Sequence, residues 1–355
     1  MSYLLETENL AFSIGDFQLV DVSLALESGE YHVLLGPNAA GKTVLLKCLL
    51  GLHRPRGGAV RLRGKDITSR PPEKRRLGYL PQTYGLFPHL TAGGNIDFAV
   101  RRSRGGGGRE QLLDLLGIRG LLERPVGELS GGQKQKVALA RCLAAGPEAI
   151  LLDEPFSAVD EETRSYLWIE LKETFRKLGV TVLQVTHSLE EAYTLGEKIS
   201  VLIDGSVRQS GTREEIFQRP GDPDVARYLN YRNIFSGPVR KNSGGWEADL
   251  GHFRVRPPGP PPAGERVTVC LRPQDLKIIR EGVPVRDSLR DNLYSGKIAA
   301  LHPFPEYCLA RFKVTGSPRE WDLELKFPSY IKDRHGLHPG KKIRVAAWSP
   351  NIIVF

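Results

Sequence analysis

The octapeptide Gly36–Thr43, "GPNAAGKT", constrains the fold of this chain more than any other stretch. Its spacing is G-x-x-x-x-G-K-T. It follows the apolar, strand-like run Tyr31–Gly36 and leads into "KTVLLKCLLGL", which has helical spacing. A strand, a glycine-rich turn and a helix in this order aim backbone N–H groups and the positive helix end at one point. That is a phosphate cradle. Lys42 is placed to reach the β- and γ-phosphates of a nucleoside triphosphate, and Thr43 to ligate Mg²⁺.

The remaining pattern of the first half agrees. Short apolar runs, "AILLDE" (Ala149–Glu154) and "TVLQVTH" (Thr181–His187), read as buried strands alternating with helices, and "ISVLIDGSV" as a strand, a turn at Asp204-Gly205 and a second strand. Between Gln82 and Leu143 the spacing is mainly helical, interrupted by "GGGG" (Gly105–Gly108), read as a flexible surface loop. From about Asn233 the helical periodicity fades. A proline-rich spacer, "PPGPPPAG" (Pro257–Gly264), is flanked by runs such as "RVTVCLR", "YCLARFKV" and "KIRVAAW" with alternating or β-branched character. The expected fold is an α/β P-loop NTPase domain over 1–232, with a helical subdomain over about 83–148, followed by a small all-β module over 233–355.

Charge separates the two parts. Residues 233–355 hold 20 Lys+Arg and 12 Asp+Glu, so they carry +8 of the +9 of the whole chain. An excess of this kind suits an anionic partner or a lysine-rich soluble surface. The four cysteines are scattered without a Cys-x-x-Cys pair, which argues against a zinc or disulfide framework and fits a reducing cytoplasm. No apolar stretch approaches the ~18 residues needed to span a bilayer, and the acidic start "MSYLLETENL" lacks the pattern of a signal peptide.

Other residues carry chemistry. Asp153 and Glu154 stand side by side at the end of an apolar strand, Asp153 placed for the Mg²⁺ shell and Glu154 to polarise an attacking water. His187 and Gln82 end strands of their own and are unremarkable singly. Ser130, Gly131 and Gly132 open a helix; Ser130 suits an N-cap. Two glycines in a first turn weaken a helix, so close approach of a ligand or another backbone is the expected reason for them.

Taken jointly, "GPNAAGKT", "LPQ", "LSGGQ", "ILLDEP", "SAVD" and "VTH", in this order and spacing, resemble the nucleotide-binding subunits of ABC transporters over about residues 1–232. The resemblance implies that two copies sandwich two ATP molecules. Gly36, Asn38, Ala39, Ala40, Gly41, Lys42, Thr43 and Val44 would hold one ATP. Ser130, Gly131, Gly132 and Gln133 would face the γ-phosphate bound by the second copy. Asp160 would run across the interface, and His187 would hydrogen-bond the γ-phosphate and the attacking water. Gln82 would sense Mg²⁺, with Thr43 and Asp153 as the other metal positions. The catalytic set would be Glu154, His187, Gln82 and Lys42. Where the family stacks an aromatic ring on adenine, this chain has Ile14, leaving Phe12 or Phe17 for the task. Ala39 replaces a common glycine.

The β-rich remainder, with "VCLRPQDLKI", is similar to the OB-like regulatory domain of importer ATPases. "LESGEYHVLLGP", "GKDITSRPPEKR" and "YGLFPHL" most resemble molybdate/tungstate importers. The implied partners are a second copy, two transmembrane permease subunits and, indirectly, an external solute-binding protein. The implied location is the cytoplasmic face of the membrane. Sulfate, ferric iron, sugar and polyamine importers are the alternatives within the class, and a soluble ABC ATPase acting on nucleic acid the alternative outside it. No nucleic acid is expected, because there is one cassette and no long coiled-coil insertion. Trp348 stands where oxyanion-sensing modules place lysine. "HGLH" (His335, His338) reads as a loop with two exposed histidines rather than a metal pair.

Overall fold

The computed structural model describes residues 3–101, 108–242, 245–260, 265–280 and 282–355. Most of the glycine run 105–108 and the end of the proline-rich spacer therefore lie outside the described residues. Two compact units form, Met1–Gln218 and Arg219–Phe355.

In the first unit an antiparallel layer contains β1 (Leu5–Ile14), β2 (Phe17–Leu26), β4 (Gly57–Leu62) and β5 (Lys65–Asp66), in the order β2-β1-β4-β5. The second layer contains β3 (Tyr31–Leu35), β6 (Leu77–Leu80), β7 (Ala149–Asp153), β8 (Thr181–Thr186), β9 (Lys198–Ile203) and β10 (Ser206–Thr212). Its order is β10-β9-β3-β8-β7-β6, parallel throughout except for the β9–β10 hairpin. β3, β7 and β8 are buried at every position, as expected of central parallel strands covered on both faces.

α1 (Lys42–Leu50) joins the layers, with Leu45, Leu46 and Leu49 packed among Leu10, Val22, Leu151 and Leu183. Arg75 closes its far end. This guanidinium, 1% exposed, donates to the carbonyls of Cys48 and Leu49 at 2.9 and 2.6 Å, and to those of Thr68 and Arg70 at 2.6 and 2.9 Å. It thereby ties the last turn of α1, where carbonyls lack i+4 donors, to the Thr68–Arg70 segment.

The expected helical region contains α2 (Ala92–Val100), α3 (Arg109–Leu115) and α4 (Gly131–Ala144). A Cβ at Gly78 of β6 would lie 2.6 Å from Cys142 Sγ, so glycine there lets α4 seat directly on the sheet. α5 (Glu161–Leu178), α6 (Leu189–Leu195) and α7 (Arg213–Gln218) complete the unit.

The second unit begins with α8 (Pro223–Tyr228) and is otherwise mostly β, as expected. One antiparallel sheet contains β11 (Ile234–Asn242), β12 (Gly245–Asp249), β13 (Arg254–Val255), β14 (Arg266–Cys270) and β20 (Ile353–Val354), in the order β13-β12-β11-β14-β20. The other contains β15 (Lys277–Ile279), β16 (Leu293–Pro303), β17 (Tyr307–Val314), β18 (Leu323–Pro328) and β19 (Lys342–Ala346), in the order β15-β19-β16-β17-β18. Short helices α9 (Asp287–Arg290) and α10 (Ser329–Arg334) join β15 to β16 and β18 to β19 within the second sheet. Val267, Val269, Phe312 and Leu325 share one core between the sheets. Buried Asn233 pins them together: its amide donates to Leu271 O and Glu324 O at 2.9 and 2.8 Å, and its carbonyl accepts from Glu324 N at 2.7 Å.

Candidate functional site

The chemistry-bearing residues converge at the carboxyl ends of three adjacent strands. β3 runs into the P-loop, β7 ends at Asp153, and β8 is followed by His187. Ligands of open parallel sheets bind at this edge, where loops and helix N-termini gather.

The P-loop is fixed from below. Gly36 N donates to Thr186 O at 3.3 Å, and a Cβ on Gly36 would sit 2.2 Å from Leu202 O. Gly41 has φ 102°, a value that favours glycine, and a Cβ there would fall 2.3 Å from the Phe17 ring. Ala39 takes the left-handed conformation, φ 64°, at a cost of roughly 1–2 kcal/mol. A non-glycine residue held there indicates a loop whose shape is imposed by its surroundings.

Lys42 is 6% exposed, and its ammonium donates to Gly36 O and Pro37 O, both at 2.8 Å. Burial lowers its pKa, against the pull of the Glu154 and Asp153 carboxylates. Thr43 Oγ1 donates to Asp153 Oδ1 at 2.9 Å. A hydroxyl and a carboxylate side by side are hard oxygen donors of the kind Mg²⁺ takes, and it binds few protein groups because phosphates and water fill the rest of its shell. No cluster of three or more His, Cys, Asp or Glu suited to a metal exists among the described residues.

Glu154 sits at φ 45°, with its amide bonded to Val185 O at 3.1 Å. Its Oε1 lies 3.1 Å from His187 Nδ1; Glu154 is mostly buried, and His187 is 52% exposed. The acid is therefore held against the sheet while the imidazole faces outward. Gln82 occupies an exposed turn beyond the end of β6, one strand past Asp153.

The turn Ser130–Gln133 is built as a capping box. Ser130 Oγ accepts from Gln133 N at 3.3 Å, and Gln133 Oε1 accepts from Ser130 N at 3.0 Å. The two glycines differ. A Cβ at Gly131 would lie 2.5 Å from Ala158 O, so packing within the chain already requires glycine there. At Gly132 the nearest atom to an added Cβ is Leu167 Cδ2 at 3.9 Å, so nothing in the chain requires it. The shared explanation expected for both glycines narrows to Gly132. Asp160 caps α5 by accepting from Thr163 N at 2.9 Å.

Phe12 stacks on His53, centroids 5.0 Å apart, so one face of its ring is covered. "HGLH" holds one exposed histidine, His338; His335 is half-buried at the end of α10. Two participants near the site escaped the sequence reading. Tyr79 OH donates to Asp153 Oδ2 at 3.1 Å, and burial raises the phenol's pKa. Glu191, 6% exposed in α6, accepts from Thr186 Oγ1 at 2.8 Å and from Gln184 Nε2. Burial, with help from the Glu154 charge, pushes its carboxyl up to about 7. Tyr79 could have been sought from its place beside the acidic strand; Glu191 gave no signal.

The ABC transporter family model matches residues 19–157. Over 304 residues the chain is 39% identical to the molybdate/tungstate import ATP-binding protein WtpC of Thermococcus kodakarensis, spanning 83% of this chain and 88% of that protein. The chain belongs to the ABC transporter family. This ABC transporter chain is also 38% identical over 311 residues to the sulfate/thiosulfate import ATP-binding protein CysA 2 of Chromobacterium violaceum, covering 85% of the chain and 84% of the relative. Both relatives are import ATP-binding proteins, and the ABC transporter chain is an ATPase subunit of that import kind. Among solved structures, an ATP-binding cassette of an ABC transporter superposes with TM-score 0.58 at 26% identity, covering 64% of this chain and 99% of that one. A dimeric post-hydrolysis cassette bound to ADP and Pi superposes with TM-score 0.51 at 30% identity, covering 59% of this chain and 98% of that one.

Proposed function

We propose that this subunit hydrolyses ATP as a homodimer on the cytoplasmic face of the membrane and powers import of molybdate or tungstate through two permease subunits. The observation that carries the hydrolytic part is the grouping of Lys42, Thr43, Asp153, Glu154 and His187 at one sheet edge. In this reading the P-loop amides and Lys42 hold the β- and γ-phosphates. Thr43 and Asp153, with Gln82, would hold Mg²⁺, whose charge would supply electrostatic stabilisation at the phosphates. Glu154 accepts a proton from the attacking water, and His187 orients that water and the γ-phosphate. Ser130, Gly132 and Gln133 of a second copy complete the phosphate shell. The space at Gly132 and the dimeric cassette among the structural neighbours support this arrangement. Phe12 or Phe17 contacts adenine. The second unit is a regulatory OB-like domain.

The cargo rests on the likeness to the molybdate/tungstate import protein. Similar identities to sulfate/thiosulfate, Fe(3+) and spermidine/putrescine import proteins keep those cargoes as the second reading. Co-purification from the native host should recover a membrane permease, and proteoliposomes of that complex should take up molybdate or tungstate in preference to sulfate. Recovery of nucleic acid without a permease would overturn the transport reading, and selective sulfate uptake would overturn the cargo.

A further inference from the structure

The second unit holds a cavity of about 780 Å³ whose floor has an unusual charge pattern. Lys297 of β16 stands directly opposite Lys313 of β17 on one side and Lys342 of β19 on the other. Directly opposed residues of an antiparallel pair project on the same face with Cβ atoms about 4.5–5.5 Å apart, and like charges there are destabilising. Lysines often protect sheet edges from pairing. These three lie instead on the central strands of the order β15-β19-β16-β17-β18, so edge protection does not account for them.

The row is extended and hooded by further donors. Arg344, two residues from Lys342 and on the same face, stands opposite Ser295. Arg334 and His335 come from the end of α10, and Arg280 from the end of β15. His335 has its pKa lowered first by burial and then by the charges of Arg334, Arg280 and Lys341. No carboxylate lines the cavity among the described residues, and Lys297, Lys313, Lys342 and Arg344 form no ion pair there. Ile279, Val314 and Leu337 supply apolar wall.

We propose that this cavity binds a small soluble molecule carrying two or more phosphate groups. Adjacent strands lie about 4.8 Å apart, so the lysine row covers about 10 Å, more than a single tetrahedral oxyanion bridges. The hydroxyl of Ser295 lies among the cations and adds a hydrogen-bond donor. Single-stranded nucleic acid is disfavoured, because such grooves stack bases on aromatic rings and only the imidazole of His335 is aromatic in this lining.

The test uses the full chain with the P-loop site saturated with ADP. Calorimetric titration with inorganic tripolyphosphate should show one further site per chain. Lys297→Gln/Lys342→Gln should weaken it at least about tenfold, because two charge-assisted contacts are lost. Lys313→Gln, made separately, should weaken it too. Without ligand these variants should melt at or above the wild-type temperature, since repulsion is relieved; tripolyphosphate should raise the wild-type melting temperature and leave the double variant's unchanged. Absence of the further site, or undiminished affinity in the variants, overturns the proposal. So does equal affinity for sulfate or molybdate, which would make this a single-oxyanion site. Tighter competing binding of a single-stranded oligonucleotide, or binding seen only with phosphoinositide-containing vesicles, would replace the soluble ligand with nucleic acid or a lipid headgroup.

Discussion

His187 Nδ1 lies 3.1 Å from Glu154 Oε1, although the two residues leave different strands and are 33 positions apart. The pair spans the edge of the sheet between β7 and β8, beside the Thr43–Asp153 hydrogen bond of 2.9 Å. A carboxylate residue at φ 45°, with its own amide bonded to Val185 O, has little freedom to leave this position.

If Glu154 is the base proposed above, replacing it should separate binding from hydrolysis. Glu154→Gln preserves shape and removes the carboxylate. Steady-state phosphate release should fall about 10²–10⁴-fold, while ATP affinity by equilibrium dialysis changes little. The same variant should elute as an ATP-dependent dimer on size exclusion; monomer at saturating ATP would remove the sandwich arrangement.

The two glycines of the capping-box turn should respond oppositely. Gly131→Ala drives a methyl to 2.5 Å from Ala158 O and should cost about 1–3 kcal/mol, read as a lowered melting temperature. Gly132→Ala has room and should stabilise α4 by about 0.5–1 kcal/mol. If Gly132 serves a second copy's phosphate, its variant should be stable yet poorly active. Full ATPase activity in stable Gly132→Ala protein would assign the glycine no role in that contact.

Arg75 offers a test of stability away from the chemistry. Arg75→Met removes donors to the carbonyls of Cys48 and Leu49 at the end of α1 and of Thr68 and Arg70 beyond β5; Cys48 O keeps the Gly51 amide, and the other three lose the donor described. Each buried acceptor left unpaired costs about 1–3 kcal/mol, so denaturant unfolding should show a loss of several kcal/mol. Arg75→Lys should recover only part, because an ammonium lacks the planar fork.

Glu191 predicts a pH dependence. Its folded pKa of about 7 lies above the ordinary value of 4.5, so the folded state holds the proton more tightly than the unfolded chain. Its contribution is complete below about pH 4.5 and is lost as pH rises through 7, a change of order ~3 kcal/mol. Glu191→Gln should therefore melt near wild type at pH 5 and above it at pH 8. Equal melting temperatures at pH 8 would show that the carboxylate ionises there without penalty.

What the sequence disclosed follows from locality. The P-loop, the strand-end acids and the turn opening α4 each lie within a few residues, so spacing alone exposed them. The first two strands were not read, because irregular pairing around Asn9 (φ 46°) and Asp21 (φ 49°) disturbs their alternation. Glu191 reaches Thr186 only because α6 folds back over the end of β8. The row Lys342–Lys297–Lys313 is visible only through strand register, since register decides which distant residues become neighbours.

The turn Asp204–Gly205 looks from sequence like an ordinary hairpin tip, a natural place to graft a tag or a reporter. Its surroundings make it a poor one. Gly205 N donates to Ala40 O of the P-loop at 3.2 Å, Gly205 O accepts from Val20 N at 3.0 Å, and a Cβ there would meet Gln18 O at 1.9 Å. An insertion at this tip would pry the phosphate loop away from the antiparallel layer, so a silent fluorophore or affinity handle belongs elsewhere.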